Sequence, residues 1–194
     1  MKTDENLNQG SRLNTGSGET DEDQEIIRNV LFNSADAYRL LVEKYQVPVY
    51  NLLLRMVHNQ DDARELTQDV FVKAYEALPS FRFEFRFFSW LYRMAVNLAL
   101  NHLKKKRGFI GLDQVKNLPE EKEDKNNERQ IQLKMAVNQL KDKYKVVVVL
   151  KYYQQLSYKE TAYILNLPEK KVRSRLYDAR VLLKKILEKT GYFN

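Results

Sequence analysis

The chain has 194 residues with no cysteine and only two histidines, which excludes disulfides, thiolate zinc sites and cysteine nucleophiles. Its 33 Lys and Arg exceed its 26 Asp and Glu, and the net charge of +7 favours a polyanionic partner such as nucleic acid. Glycine is scarce, and neither a phosphate-binding glycine motif nor an 18-residue apolar run occurs. We therefore expect a cytoplasmic protein that holds no cofactor and no metal.

The first 24 residues differ in composition from the rest of the chain. They hold six acidic and two basic residues, and their apolar side chains are only Met1, Leu7 and Leu13. Such a segment buries too little apolar surface to offset the entropy lost on ordering it. The composition predicts a disordered acidic tail over residues 1–24, followed by a first folded module over residues 25–107.

Two helices are predicted in the first module from apolar residues spaced three and four apart. The first stripe comprises Leu40, Leu41, Tyr45, Val49, Leu52, Leu53 and Met56. Pro48 is expected to end or kink this helix near Val47. The second stripe comprises Ala63, Leu66, Val70, Ala74 and Ala77. Asp62 and Glu65, three residues apart, resemble a capping box and place the start of the second helix, and Pro79 places its end.

Aromatic and charged residues alternate over 81–88, which read FRFEFRFF. A period of two is typical of a strand, but a single strand among helices has no sheet to join, so we predict an aromatic, basic loop. Ser89 then precedes a helix over residues 90–107. One face of this helix carries a polar and basic stripe of Arg93, Asn97, Asn101 and Lys104. Such a stripe beside an aromatic loop can contact nucleic acid.

A linker and a strongly basic second module follow. Residues 108–129 open with glycines, contain a proline and end in a charge run, which predicts a flexible linker. Residues 130–194 hold 14 basic and 5 acidic residues. Four consecutive valines at 146–149 favour a strand, but we predict a helix over 131–155 because an apolar stripe follows helical spacing at Leu140, Tyr144, Val147 and Leu150.

The end of the chain predicts a helix-turn-helix. Ser157 and Glu160 form a capping box at the start of a short helix. Asn166 suits a left-handed turn position, and Pro168 suits the first position of the next helix. The buried side of that helix is predicted to comprise Val172, Leu176, Ala179, Leu183 and Ile186. Its outward side chains are Lys170, Lys171, Arg173, Ser174, Arg175, Tyr177 and Arg180, a basic set typical of a DNA-binding helix.

Three of these segments together resemble the bacterial sigma-70 family. They are DDARELTQDVFVKAYEALPSF at 61–81, WLYRMAVNLALNHLKKKR at 90–107 and LSYKETAYILNLPEKKVRSRLYDAR at 156–180. The short, extracytoplasmic-function form of the family is the most similar. The resemblance implies an all-α protein of two small domains, sigma region 2 at 25–107 and sigma region 4 at 130–194, joined by the flexible linker.

The resemblance also implies a function and three interaction surfaces. It implies a non-enzymatic factor that binds core RNA polymerase, directs it to specific promoters, promotes promoter melting and has an anti-sigma factor as a further partner. The residues matching the family's polymerase-docking helix are Asp62, Leu66, Gln68, Asp69, Val70, Phe71 and Lys73. Those matching its −10 element contacts are Arg82, Phe83, Phe85, Arg86, Phe88, Arg93, Asn97, Asn101, Lys104, Lys105 and Arg107. The outward side chains of the last predicted helix, from Lys170 to Arg180, match its −35 element contacts.

Simpler roles remain open for some of these residues. Leu66 and Val70 fit an ordinary hydrophobic core at least as well, and core packing is the preferred interpretation of Trp90. The family usually has glycine at position 83, small or polar residues near 85 and 88, and a basic residue at 178, where this chain has three phenylalanines and Asp178. Neither promoter element can therefore be copied from relatives.

A second interpretation is a stand-alone helix-turn-helix regulator that binds duplex DNA and not polymerase. It accounts for residues 130–194 but leaves the helix at 61–81 and the aromatic loop without a role. Binding to core polymerase distinguishes the two interpretations.

Overall fold

All regular structure in the described part of the chain, residues 17–109, 128–190 and 192 of a computed structural model, is helical. The N-terminal module contains α1 (Ser17–Phe32), α2 (Tyr38–Val57), α3 (Gln60–Ala77) and α4 (Phe87–Phe109). The C-terminal module contains α5 (Glu128–Asn138), α6 (Asp142–Val148), α7 (Tyr158–Leu165) and α8 (Glu169–Lys189). The predicted all-α fold with two helical modules is confirmed. Most of the predicted linker lies outside the described residues.

Helix α1 begins inside the segment that was predicted to be a disordered tail. Residues 17–24 are helical, and the carboxylate of Asp23 is buried. Composition alone misses this helix because it is held by few side chains, chiefly Asp23 and the fully buried Ile27. Residues 1–16 of the predicted tail lie outside the described residues.

Helix α2 runs through Pro48 without ending there, so of the expected end or kink near Val47 the end is wrong. Tyr45 and Val49, on either side of the proline, are buried in the core, and their burial offsets the backbone hydrogen bond that proline cannot make. The predicted stripe of α2 is buried except for Leu40, which is 44% exposed. The helix ends at His58, which takes the left-handed conformation.

The start of α3 differs from the predicted capping box. The helix is capped by Asn59, whose side-chain oxygen accepts a hydrogen bond from the backbone N–H of Asp62 at 2.8 Å. Asp62 is thus the third residue of the helix and receives the cap instead of providing it. A short 3₁₀ turn over Leu78–Ser80 follows α3, as Pro79 predicted.

Helix α4 begins at Phe87, before Ser89, because the backbone N–H groups of Ser89 and Trp90 both donate to the Arg86 carbonyl. Phe87 and Phe88 are consequently inside the helix and are buried. Phe81, Phe87 and Trp90 form an aromatic cluster with ring centroids 5.3–5.9 Å apart. This cluster packs the 81–86 loop against the start of α4.

The single helix predicted over 131–155 is divided in the structure. Helix α5 ends at Asn138, α6 begins at Asp142, and Val149–Tyr153 form a π-helical turn. The four valines at 146–149 are all buried, as the helical interpretation required. Gln155, with φ of 55°, then turns the chain towards the helix-turn-helix.

The helix-turn-helix forms as predicted. Both hydrogen bonds of the capping box between Ser157 and Glu160 are present, and Asn166 is left-handed with φ of 51° and ψ of 50°. Pro168 is the N-cap of α8, one residue before the position predicted for it. Val172, Leu176 and Ala179 of α8 are buried, while Leu183 and Ile186 are partly buried against the core.

Candidate nucleic-acid and polymerase interfaces

Helix α3 presents a polar outer face and an apolar inner one. Gln68, Asp69 and Lys73 are exposed on the outer face. The apolar members of the predicted docking set are instead 0–7% exposed and pack in the core; they are Leu66, Val70 and Phe71. Val72, 57% exposed on the same outer face, was not among the predicted contacts. The sequence indicates Val72 only by placing an apolar residue outside the stripe that is predicted to be buried.

Asp62, another predicted docking residue, links α3 to the end of α4. Its Oδ2 lies 2.8 Å from Lys106 Nζ and 3.0 Å from His102 Nε2. Burial alone would raise the pKa of this carboxyl, but the nearby Lys106 and His102 outweigh burial and lower the pKa. The carboxylate therefore stays ionised and holds the basic end of α4 against α3.

The 81–86 loop holds two phenylalanines in different surroundings. The half-buried ring of Phe83 packs edge-on against Phe81, at 5.5 Å between centroids, and so faces its own module. The ring of Phe85 stacks on Tyr163 of α7, with centroids 4.7 Å apart and planes 27° apart. Phe88, also predicted to contact DNA, is instead buried against Tyr92 at 5.8 Å. Phe85 is thus the loop phenylalanine that faces away from the N-terminal module.

Basic and amide side chains lie in the loop and along α4. Arg82 pairs with Glu84 at 2.7 Å and lies over the Phe85 ring at 5.6 Å. Arg93 of α4 is half-buried. The other residues of α4 that were predicted to contact the −10 element and whose side chains the structure describes are exposed, apart from Phe88: Asn97, Asn101, Lys104 and Lys105. The side chain of Arg107 lies outside the described residues. Trp90 packs in the aromatic cluster, as the preferred interpretation held.

The C-terminal module packs on the N-terminal one directly over this loop. Arg86 Nη1 lies 3.5 Å from Glu160 Oε1, and Arg93 lies over the Tyr163 ring at 5.6 Å. The hydroxyl of Tyr92, a fully buried residue, donates to Gln154 Oε1 at 3.0 Å. In this arrangement α7 therefore covers Phe85 and approaches both arginines, three of the predicted −10 contacts.

A second contact between the modules joins His58 to Lys145. Lys145 Nζ lies 3.1 Å from His58 Nε2, so the ring must be neutral to accept a hydrogen bond from the ammonium group. Burial, followed by the nearby charges of Lys145 and Lys134, lowers the pKa of His58 from 6.5 to about 4. Protonation of His58 is thus disfavoured in the folded state.

We expect acid to destabilise this protein through His58. Because the pKa is lowered on folding, its contribution to stability is complete above pH 6.5 and is lost as the pH falls towards about 4. The test is His58→Asn, because asparagine tolerates the left-handed backbone at this position. Between about pH 7.5 and about pH 5, the melting temperature of this variant should fall by less than that of the native protein. Equal losses in the two proteins would contradict this assignment.

Helix α8 exposes most of its predicted contact residues. Lys170, Lys171, Ser174, Tyr177 and Arg180 are exposed, and Tyr177 is 63% exposed. Arg175 and Asp178 are half-buried. Arg173 is exposed but is also held within the module, 4.1 Å over the Tyr158 ring and 3.6 Å from Glu169 Oε2. The helix thus presents one basic face with an aromatic residue in its middle.

Two protein-family models match this chain. The model of Sigma-70 region 2 matches residues 41–109, and the model of Sigma-70, region 4 matches residues 130–183. The RNA polymerase sigma-H factor of Pseudomonas aeruginosa is 32% identical over 184 residues, which cover 87% of this chain and 95% of that protein. The ECF RNA polymerase sigma factor SigW of Bacillus subtilis is 32% identical over 83% of this chain and 94% of its own length. This chain belongs to the extracytoplasmic-function group of the sigma-70 family. The ECF sigma-E factor of Escherichia coli is 34% identical over 81% of this sigma factor and 90% of its own length.

Solved structures share the fold of this sigma factor. CnrH, in complex with the cytosolic domain of CnrY, has a TM-score of 0.64 and 21% identity, covering 86% of this chain and 97% of that one. The sigma factor RpoE of Bartonella quintana, in complex with the anti-sigma factor NepR, has a TM-score of 0.63 and 19% identity. That similarity covers 78% of this chain and 96% of the RpoE chain.

The sigma factor is a transcription initiation factor, and its family is not enzymatic. None of the helices among residues 17–109 and 128–190 is both long and apolar enough to cross a membrane. Within the same residues, no three His, Asp or Glu side chains are grouped so that they could hold a metal ion.

Proposed function

We propose that this sigma factor binds core RNA polymerase through the outer face of α3. Gln68, Asp69 and Lys73 supply hydrogen-bonding and charged groups there, and Val72 supplies an apolar centre. An exposed apolar side chain ringed by polar ones is the composition of a protein interface. This face carries the proposal, because a stand-alone DNA-binding regulator would have no use for it.

The 81–86 loop and the outer face of α4 bind the −10 element as its strands separate. The ring of Phe85 stacks on an unpaired base, since stacking accepts any base and is available only in single strands. Asn97 and Asn101 reach base edges, and Lys104 and Lys105 contact phosphates. Phe83 and Phe88 support the loop from within and do not contact DNA.

Helix α8 enters the major groove at the −35 element. Arg173, Ser174 and Tyr177 lie within one turn of each other near its start and read base edges. Lys171 makes a base or near-base contact beside them, and Lys170 and Arg180 contact phosphates on either side. Arg175, half-buried, holds a phosphate near the module surface.

An anti-sigma factor is the second protein partner that we propose, on the analogy of the complexes of CnrH and RpoE. We place the protein in the cytoplasm, where the polymerase is, and assign it no catalytic activity, no cofactor and no metal. Its work is binding alone, and the energy for melting comes from its contacts with the polymerase and the separated strands.

Core-polymerase binding tests this proposal. The double variant Gln68→Ala/Asp69→Ala should lose about tenfold or more in affinity for core polymerase from the same bacterium, measured by fluorescence anisotropy. Glu43→Gln, at an exposed position of α2, should stay within about twofold because surface ion pairs contribute little. A native chain that binds specific duplex DNA but not polymerase would favour the stand-alone regulator.

A further inference from the structure

Helix α1 bears two pairs of residues at the i, i+4 spacing, and the two pairs contact different parts of the N-terminal module. Asp23 and Ile27 lie on one stripe, and Gln24 and Arg28 lie on the next. The first stripe is buried in the N-terminal module, whereas the second reaches the 81–86 loop. The helix lies before residue 41, where the region 2 match begins.

The Asp23 stripe fixes α1 to α2. Asp23 is 3% exposed, accepts a hydrogen bond from the Tyr45 hydroxyl at 2.5 Å and pairs with Lys44 Nζ at 2.8 Å. Lys44 also pairs with Glu22 at 2.7 Å. Ile27, fully buried, adds apolar contact one turn later. A buried carboxylate with two partners holds the helix in one position and rotation.

The Gln24 stripe holds the loop at Phe83. Gln24 Nε2 donates a hydrogen bond to the backbone carbonyl of Phe83 at 3.0 Å, joining residues 59 apart in the chain. The guanidinium carbon of Arg28 lies 5.2 Å from the centre of the Phe83 ring, within cation–π range. Phe81 contacts the ring from within the module. Backbone and side chain of Phe83 are therefore both fixed.

We infer that Gln24 and Arg28 are positioning residues for promoter melting, which act by fixing Phe83 and thereby orienting Phe85 two residues later. This inference rests on the proposed function, in which the loop receives an unpaired base of the −10 element. A loop that is already ordered loses less entropy when a base binds, so capture of the base is favoured. A flexible loop would meet the same base with its ring in many orientations.

Gln24→Met and Arg28→Met test this inference. Gln24→Met keeps side-chain length and helix propensity and removes the hydrogen bond to the Phe83 carbonyl. Arg28→Met keeps helix propensity but shortens the side chain and removes its charge, and with it the cation–π contact to the Phe83 ring. The matched controls are Gln46→Met and Arg39→Met, at exposed positions of α2. Open-complex formation is followed with holoenzyme, by the fluorescence of 2-aminopurine placed in the −10 region of a promoter whose start site has been mapped.

Each α1 variant should form open complexes about fivefold more slowly or worse, while each control stays within about twofold of the native protein. Polymerase affinity and binding of the free chain to −35 duplex should not change. In a Phe85→Ala background, Gln24→Met should have no further effect, because Gln24 acts through that ring. A merely structural role of α1 would instead lower the melting temperature and affect every assay alike.

Two results would overturn the inference. The first is an open-complex rate in both α1 variants equal to that of the native protein. The second is that Gln24→Met slows open-complex formation in the Phe85→Ala background by as much as it does in the native protein. A native holoenzyme that forms no open complex at any promoter would overturn the proposed function itself, and this inference with it.

Discussion

Phe85→Ala is expected to reduce open-complex formation by about 5- to 150-fold, since base stacking on an aromatic side chain contributes about 1–3 kcal/mol. Binding to fully paired promoter DNA should change by about twofold or less, because a base inside the duplex stacks on its neighbours and cannot reach the ring. The readouts are the rate of open-complex formation and the affinity for closed duplex.

In the free chain Tyr163 competes with a base for the ring of Phe85. In the free chain the face of Phe85 is occupied by Tyr163, stacked at 4.7 Å, so an incoming base must replace a ring of the other module. Stacking on Tyr163 shows that the Phe85 ring has room for a flat partner on that side. Phe85→Tyr keeps the stacking surface and should stay near the native rate. Equal losses on single-stranded and duplex DNA in Phe85→Ala would contradict the stacking role.

Arg173→Ala is expected to relax the sequence preference at the −35 element. An arginine that makes two hydrogen bonds to a guanine contributes about 1–3 kcal/mol of discrimination, or about 5- to 150-fold between right and wrong base. In the free chain Arg173 lies over Tyr158 and near Glu169, contacts within the helix-turn-helix that hold it close to the start of α8. It leaves them only for a stronger acceptor, which a base edge in the major groove provides.

Lys170→Ala is the matched phosphate-contact variant. It should weaken binding to all −35 sequences alike and reduce the salt slope of the binding constant by about 1. Lys184→Ala, at the far end of α8 and paired with Glu188, should leave both properties unchanged. The measurement is the affinity of the three variants for a set of single-base −35 changes at two salt concentrations. Identical effects of Arg173→Ala and Lys170→Ala would contradict the division between base and phosphate contacts.

Much of the fold follows from local sequence. Helical spacing places the helices, and the Ser157 and Glu160 capping box and the left-handed Asn166 fix the helix-turn-helix to within a residue. These features depend on neighbours three or four residues apart. The sequence does not single out Asn59 as the cap of α3, because Asp62 and Glu65 offer a capping pattern three residues later. The π-helical turn at Val149–Tyr153 has no sequence signal in its apolar stripe, because its residues are buried either way.

The candidate site was predictable in outline but not in its details. The exposed faces of α3, α4 and α8 carry the expected polar residues because periodicity separates inside from outside. Periodicity cannot say which loop phenylalanine turns inwards. Phe83 does so because Gln24 and Arg28 hold it, and Gln24 lies at the end of the segment that composition assigned to the tail, with Arg28 one turn beyond it. The stack of Phe85 on Tyr163 joins two modules, and single-chain patterns do not report such long-range contacts.

Transcription in vitro tests most directly whether this chain directs polymerase to promoters. The purified chain is added to core RNA polymerase with fragmented genomic DNA of its own bacterium, and the 5′ ends of the RNA are mapped. We predict discrete new start sites that share sequence elements near −10 and −35 and that disappear with Gln68→Ala/Asp69→Ala. Absence of new start sites from active core polymerase, together with specific duplex binding by the same preparation, would contradict the account.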